Sequence, residues 1–147
     1  MAYSLQAIIS SSSAFEETCF EGGNVVGLPQ ALSMLLFTRK FLEQRKFPLR
    51  PLMDDDAKTL PKEIEELCAR IAGHSRAAYV EAEFFGGAGT QGCALFQEGR
   101  RTEDIQIHGK AVNHALRFLG VSVAGEYDEF AALGLGKFRD ADSWPSI

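Results

Sequence analysis

Residues Arg76 to Arg101 read RAAYVEAEFFGGAGTQGCALFQEGRR, and the fold turns on this stretch. Two strand-like runs flank a Gly-Gly-Ala-Gly loop, and the pattern alternates on both sides. Successive strand residues point to opposite faces, so Ala78, Val80, Ala82 and Phe84 share one side and Tyr79, Glu81, Glu83 and Phe85 the other. A loop at Gly86–Gly89, where glycine tolerates positive φ, pairs Phe85 with Thr90, Ala82 with Cys93 and Val80 with Leu95, which gives a dry face. The same register sets Tyr79 opposite Phe96, Glu81 opposite Ala94 and Glu83 opposite Gly92, so that small residues face both carboxylates. A slip of one residue would exchange the two faces. The reading predicts a hairpin at the centre of an antiparallel sheet in an α+β fold, with helices packed mainly on one face.

The elements around the hairpin follow from local patterns. Tyr3 to Ile9 alternates Tyr3, Leu5, Ala7 and Ile9 against Ser4 and Gln6, which predicts a strand with one buried face. Phe20 to Gly27 reads as a turn and a short strand. Ala31 to Phe37 is either part of one long helix begun by Pro29 or a strand in which Leu32, Met34 and Leu36 alternate. The strand is preferred, with Thr38 capping a short helix over Arg39 to Lys46. Phe47 to Lys58 is a loop with two prolines. Leu60 to Ala72 is the clearest helix, with Pro61 and three glutamates at its start, Gly73 beyond its end, and Ile64, Leu67, Cys68 and Ile71 in one stripe. Asp104 to Ile107 suggests a further short strand. Lys110 to Leu119 is a second helix with Val112, Ala115, Leu116 and Leu119 inward and Gly120 as its stop. Tyr127 to Leu133 forms a last short helix before a glycine-broken tail.

Composition narrows the function. The 147 residues suit one domain spanning the whole chain, with 46% hydrophobic content sufficient for a core. A net charge of −5 excludes a general nucleic-acid binder, which needs clustered cations to neutralise phosphate. It suits a basic protein partner instead. Arg39, Lys40, Arg45, Lys46 and Arg50 read as a solvated basic face. The three cysteines, Cys19, Cys68 and Cys93, are scattered without a CxxC. This argues against a disulfide framework or structural zinc and for a reducing, cytoplasmic setting. The start lacks a signal-peptide pattern, and no apolar run approaches the roughly 20 residues that span a bilayer.

Candidate chemistry centres on the acidic face of the hairpin. Glu81 and Glu83, about 7 Å apart along a strand, with Tyr79 and Gln91 near, are able to meet a cation or a partner's Lys or Arg, or to shift a pKa for acid–base work. An ordinary solvated sheet face is the commoner arrangement. The aromatic residues Tyr79, Phe85 and Phe96 on that side indicate that something covers part of it, and Arg139 is the expected counter-charge. Asp140, Asp142 and Trp144 in the tail complete the candidate partner-binding set, with Trp144 also read as an anchor docking the tail. Asp54–Asp56 lacks the spacing of a calcium loop and reads as a helix-start acid cluster. His74, His108 and His114 have no metal-ligand spacing, and a Cys93–His108 dyad is disfavoured by placing Cys93 on the dry face. No catalytic residue, metal site or cofactor is expected.

The strings YVEAEFFGGAGTQG, KAVNHALRFLGV and DEFAALGLGKFRDADSW, with LPQALSM, resemble a set of small bacterial cytosolic proteins, some similar to immunity proteins encoded beside polymorphic toxins. The resemblance covers roughly the second half of the chain and implies a binding protein without assigning sites. The combined expectation is a non-enzymatic cytoplasmic interaction module that holds a protein partner such as a basic toxin. The alternative is a small enzyme or ligand-binding domain with a pocket at Glu81, Glu83 and Gln91. A third reading, an oligomer joined through sheet edges, leaves the oligomeric state open.

Overall fold

The structure, a computed structural model, describes residues 2–15, 23–53, 59–85, 88–123 and 125–144. Cys19, the Phe20–Gly22 turn, the Asp54–Asp56 run and Gly86–Gly87 lie outside the described residues. Among the described residues seven antiparallel strands make one sheet: β1 (Ala2–Ser11), β2 (Asn24–Leu28), β3 (Leu32–Leu36), β4 (Arg76–Phe85), β5 (Ala88–Gln97), β6 (Arg100–Arg101) and β7 (Gln106–Ile107). Their order is β2-β3-β1-β4-β5-β6, with β7 also on β5. The α+β antiparallel class expected from the sequence is the one observed.

The hairpin sits two residues out of the expected register. Phe85 pairs with Ala88, Val80 with Cys93 and Glu81 with Gly92. Ala88 and Gly89 thus belong to the strand instead of the loop. An even shift preserves which side chains share a face, so both face assignments survive. The pairing of β1 with β4 runs from Ala2–Phe85 to Ser10–Ala77 and sets Gln6 beside Glu81.

Among the described residues four α-helices flank the sheet: α1 (Arg39–Arg45), α2 (Lys62–Ile71), α3 (Ala111–Phe118) and α4 (Glu129–Ala132). Thr38 caps α1 by accepting from the Phe41 N–H at 3.1 Å, and Lys46 ends it in the left-handed region. The strand preferred for Ala31–Phe37 is therefore present as β3, followed by the expected short helix. In α2 the predicted stripe of Ile64, Leu67, Cys68 and Ile71 is buried. Removing such side chains from water stabilises by roughly 1.5–3 kcal/mol for each large aliphatic residue. Asp128 caps α4 by accepting from the Ala131 N–H. Among the described residues no helix is long and apolar enough to cross a membrane.

The helices are shared between the two faces of the sheet, where the sequence pattern placed them mainly on one. Alternate residues Leu5, Ala7, Ile9, Ala78, Val80 and Ala82 pack with α3, α4 and the tail. The intervening Ile8, Ala77, Tyr79, Ala94 and Phe96 pack with α1, α2 and the turn Pro51–Met53. β1, predicted to bury one face, buries both: Gln6, Ile8 and Ser10 are as inaccessible as Leu5, Ala7 and Ile9. The central strands are thus dry on either side, and any polar side chain along them needs an internal partner.

Candidate functional site

Glu81 projects from the middle of β4 into the second core and is fully buried. Its environment is built by a strap of chain, Phe47 to Met53, which leaves α1, crosses the sheet and ends in a single 3-10 turn at Pro51–Met53. The Leu52 N–H donates to both carboxylate oxygens, at 2.9 Å to Oε1 and 3.1 Å to Oε2. The Tyr79 hydroxyl donates to Oε2. Gln6 continues the network: its Nε2 donates to the Tyr79 hydroxyl at 2.9 Å and to the Pro48 carbonyl at 3.2 Å. Its Oε1 accepts from the Arg50 N–H at 3.0 Å. Strap, strand β1 and strand β4 are thereby joined by side chains that supply what an irregular buried backbone lacks in a ladder.

The small residue opposite Glu81 has a definite use. A Cβ built on Gly92 would lie 3.1 Å from Leu52 Cβ and 3.2 Å from Leu52 Cδ1, so the bare backbone of Gly92 is the seat on which the strap rests. Burial raises the Glu81 carboxyl to about 7, against the opposing pull of its hydrogen bonds from Tyr79, Leu52 and Met53 and of the more distant Arg50. The Tyr79 hydroxyl is pushed well above its ordinary value by the same burial and by the neighbouring carboxyl.

Glu83, two residues along on the same face, is exposed and meets Arg50, whose Nε lies 3.1 Å from Oε2. The cation supplied to this face therefore comes from the strap, where Arg139 was expected; Arg139 is engaged through its carbonyl, which accepts from the Ser4 N–H at 2.7 Å. Gln91 pairs with Ala82 on the opposite side of the sheet, and its Oε1 accepts from the Val112 N–H at 2.9 Å, holding the start of α3. Glu81, Glu83 and Gln91 consequently do not share a pocket. One is sealed, one is at the surface and one is beneath another helix.

The tail acids lie beside the strap. Asp140 accepts from the Ser143 N–H and hydroxyl, at 2.9 and 2.8 Å. Asp142 accepts from the Arg39 N–H at 3.3 Å, at the beginning of α1. Trp144 is buried against Phe138, with ring centroids 4.7 Å apart, so it packs the tail onto the body. Between strap, α1 and tail is a cleft of about 310 Å³. Phe37, Leu42, Phe47 and Leu49 form its apolar wall, and Arg39, Glu43, Arg50, Asp140 and Asp142 line it with both signs of charge. Gln6 reaches its floor, which places the Tyr79–Glu81 pair one side chain below. Leu49 is 59% exposed, one of three large hydrophobic residues so placed among those described.

Sequence reasoning missed the strap, Gln6 and Leu49. The available signal was FPLRPLM itself, four apolar side chains in a segment otherwise read as a loop. The remaining candidates are separate. Cys93 is buried, its thiol pushed up to about 12 mainly by that burial, while His108 is exposed and turned toward Gln106 Oε1 at 2.8 Å. His114 bonds Glu103 at 2.7 Å. Among the described residues no group of three His, Cys, Asp or Glu side chains is arranged to hold a metal ion.

No protein-family model, curated protein or solved structure matches this chain.

Proposed function

We propose that the chain is a non-enzymatic interaction module that binds a protein partner at the cleft between strap, α1 and tail, working in the cytoplasm. The observation that carries this reading is the outward Leu49. The side chains of Gln6, Glu81 and Glu83 hold the strap through Pro48, Arg50 and Leu52, and what the strap presents to solvent is a leucine at the rim of a partly apolar cleft. An apolar patch with charged groups around it matches the apolar centre and polar rim of a protein interface. Of the candidate contacts that the sequence singled out, Tyr79 and Glu81 are buried and do not reach a partner, and the tail acids remain. Glu81 is enclosed and serves to hold the strap, while Asp140 and Asp142 border the cleft. The free cysteines Cys68 and Cys93 are consistent with a reducing compartment.

An immunity protein that neutralises a basic toxin fits this description. The net charge of −5 accelerates encounter with a basic partner, whereas the cleft itself, lined by both signs, supplies contact and register. Capture with the tagged full chain from its native host, with the neighbouring genes recorded, tests the proposal. One basic protein should be retained by the wild type and lost with Leu49→Asp and with Asp142→Lys, while circular dichroism shows both variants folded. Retention of nothing by the wild type, or undiminished retention by both variants, overturns it.

A further inference from the structure

We propose that the cleft between strap, α1 and tail receives one large apolar side chain of the partner, an aromatic ring by preference, carried next to a lysine or arginine. The inference deepens the reading above and rests on it for the existence of a partner. It adds what that partner inserts and which charge must accompany it.

Size and wall come first. The cleft holds about 310 Å³, at the lower end of the about 300–1,000 Å³ of pockets that take small ligands, so it suits a single large side chain. Phe37 and Phe47 in its wall have ring centroids 5.9 Å apart, and Phe47 is half-buried. A further ring therefore finds an apolar surface with an aromatic neighbour to pack on. Leu49 lines the same cleft between two anchored residues. The Pro48 carbonyl accepts from Gln6 at 3.2 Å, and the Arg50 N–H donates to Gln6 at 3.0 Å. An exposed leucine whose backbone is fixed on either side loses little freedom when it is covered.

The polar groups decide the rest. Two residues of β1 line the cleft, Ser4 and Gln6. Both ends of the Gln6 amide are engaged, Nε2 by Tyr79 and Pro48 and Oε1 by Arg50. A charged head group entering there would exchange its water for the Ser4 hydroxyl alone, a loss that an apolar side chain does not incur. Around the mouth the charges are unequal. Arg50 is committed, its Nε lying 3.1 Å from Glu83 Oε2. Asp140 gives Oδ1 to Ser143, and Asp142 faces the Arg39 N–H. Glu43 is exposed and makes no ion pair among the described residues. Glu43, Asp140 and Asp142 thus share the lining with one uncommitted cation, the Arg39 side chain, while Lys40 and Lys46 do not line it. A cation beside the inserted ring meets these acids, and a carboxylate in its place is repelled by them.

Titration of the full chain with blocked dipeptides, followed by the NMR methyl signals of Leu42 and Leu49, tests this without the native partner. N-acetyl-Phe-Arg-amide should move both signals saturably in the millimolar range. N-acetyl-Phe-Glu-amide should bind about 3- to 10-fold more weakly, and N-acetyl-Ala-Arg-amide should leave both signals in place. Glu43→Lys, a change at an exposed position, should cancel the preference for the Phe-Arg over the Phe-Glu peptide while the ring still moves Leu49. The inference is overturned if the Phe-Arg peptide moves neither leucine, if the Phe-Glu or Ala-Arg peptide binds as well, or if Glu43→Lys keeps the preference unchanged. Each of these results leaves the interaction reading standing, since that reading falls only with the capture experiment. Failed capture with the dipeptide preference intact would remove the reading and keep the selectivity of the cleft.

Discussion

The two faces of β4 are solved in different ways. Toward α3 the strand presents Ala78, Val80 and Ala82, and a regular helix lies on them with its own backbone already bonded. Toward α2 it presents Ala77, Tyr79 and Glu81, and part of the cover is an irregular strap. A helix needs only apolar surface beneath it. A strap brings bare N–H groups into the core, and these require acceptors from the sheet. Glu81 and Gln6 are those acceptors. The polar residues of the central strands are thus explained by the shape of the segment laid over them.

This contrast can be tested from the largest expected effect downward. Leu116→Ala, on the all-apolar face, leaves a cavity beneath α3 and should cost about 2–5 kcal/mol in urea denaturation, with no change in the pH dependence of stability. Glu81→Gln should act chiefly through pH. The folded pKa of about 7 lies above the solvated 4.5, so the unfolded state releases its proton first. The stabilisation tied to this proton is complete below about 4.5 and is lost as pH rises through about 7, a swing of about 3 kcal/mol in the wild type. Unfolding curves across that range should show the swing in the wild type and its absence in the variant. A wild-type curve that rises with pH over this interval would contradict the burial argument.

Gly92→Ala comes next. The added methyl meets Leu52 at 3.1 Å, so overpacking of about 1–3 kcal/mol is expected. The change should appear as lost protection at Leu52 with the α3 face unaltered. Glu83→Ala removes an ion pair at the surface and should change stability by less than about 1 kcal/mol. A larger loss would mean that the Arg50 pair, and not the buried carboxyl, is the main tether of the strap.

How much of this was legible depended on how far apart the interacting residues lie. The stripe of α2, the Thr38 cap, the strand before it and the parity of the hairpin are all written within a few neighbouring positions. The identity of the cover over the acidic face is not. Leu52 and Glu81 are 29 positions apart and Arg50 and Gln6 are 44. Alternation states that Glu81 and Tyr79 share a side; it is silent on whether that side meets water or a second layer. Gln91 was misplaced for a related reason, because nearness along a hairpin does not distinguish a residue on one face from its neighbour on the other. The expected pocket of Glu81, Glu83 and Gln91 therefore separates into three unrelated environments.

By itself the sequence determined the central hairpin, the first strand, the stripes of α2 and α3, the Thr38 cap and the partition of the hairpin strands into two sides, since these arise from local sterics and periodicity. Only the tertiary structure decided that both sides are dry, that a loop of apolar residues seals the carboxyl of Glu81, and that the tail closes a cleft beside it. Those outcomes depend on which surfaces exclude water from one another. Water exclusion is a property of segments brought together from distant parts of the chain.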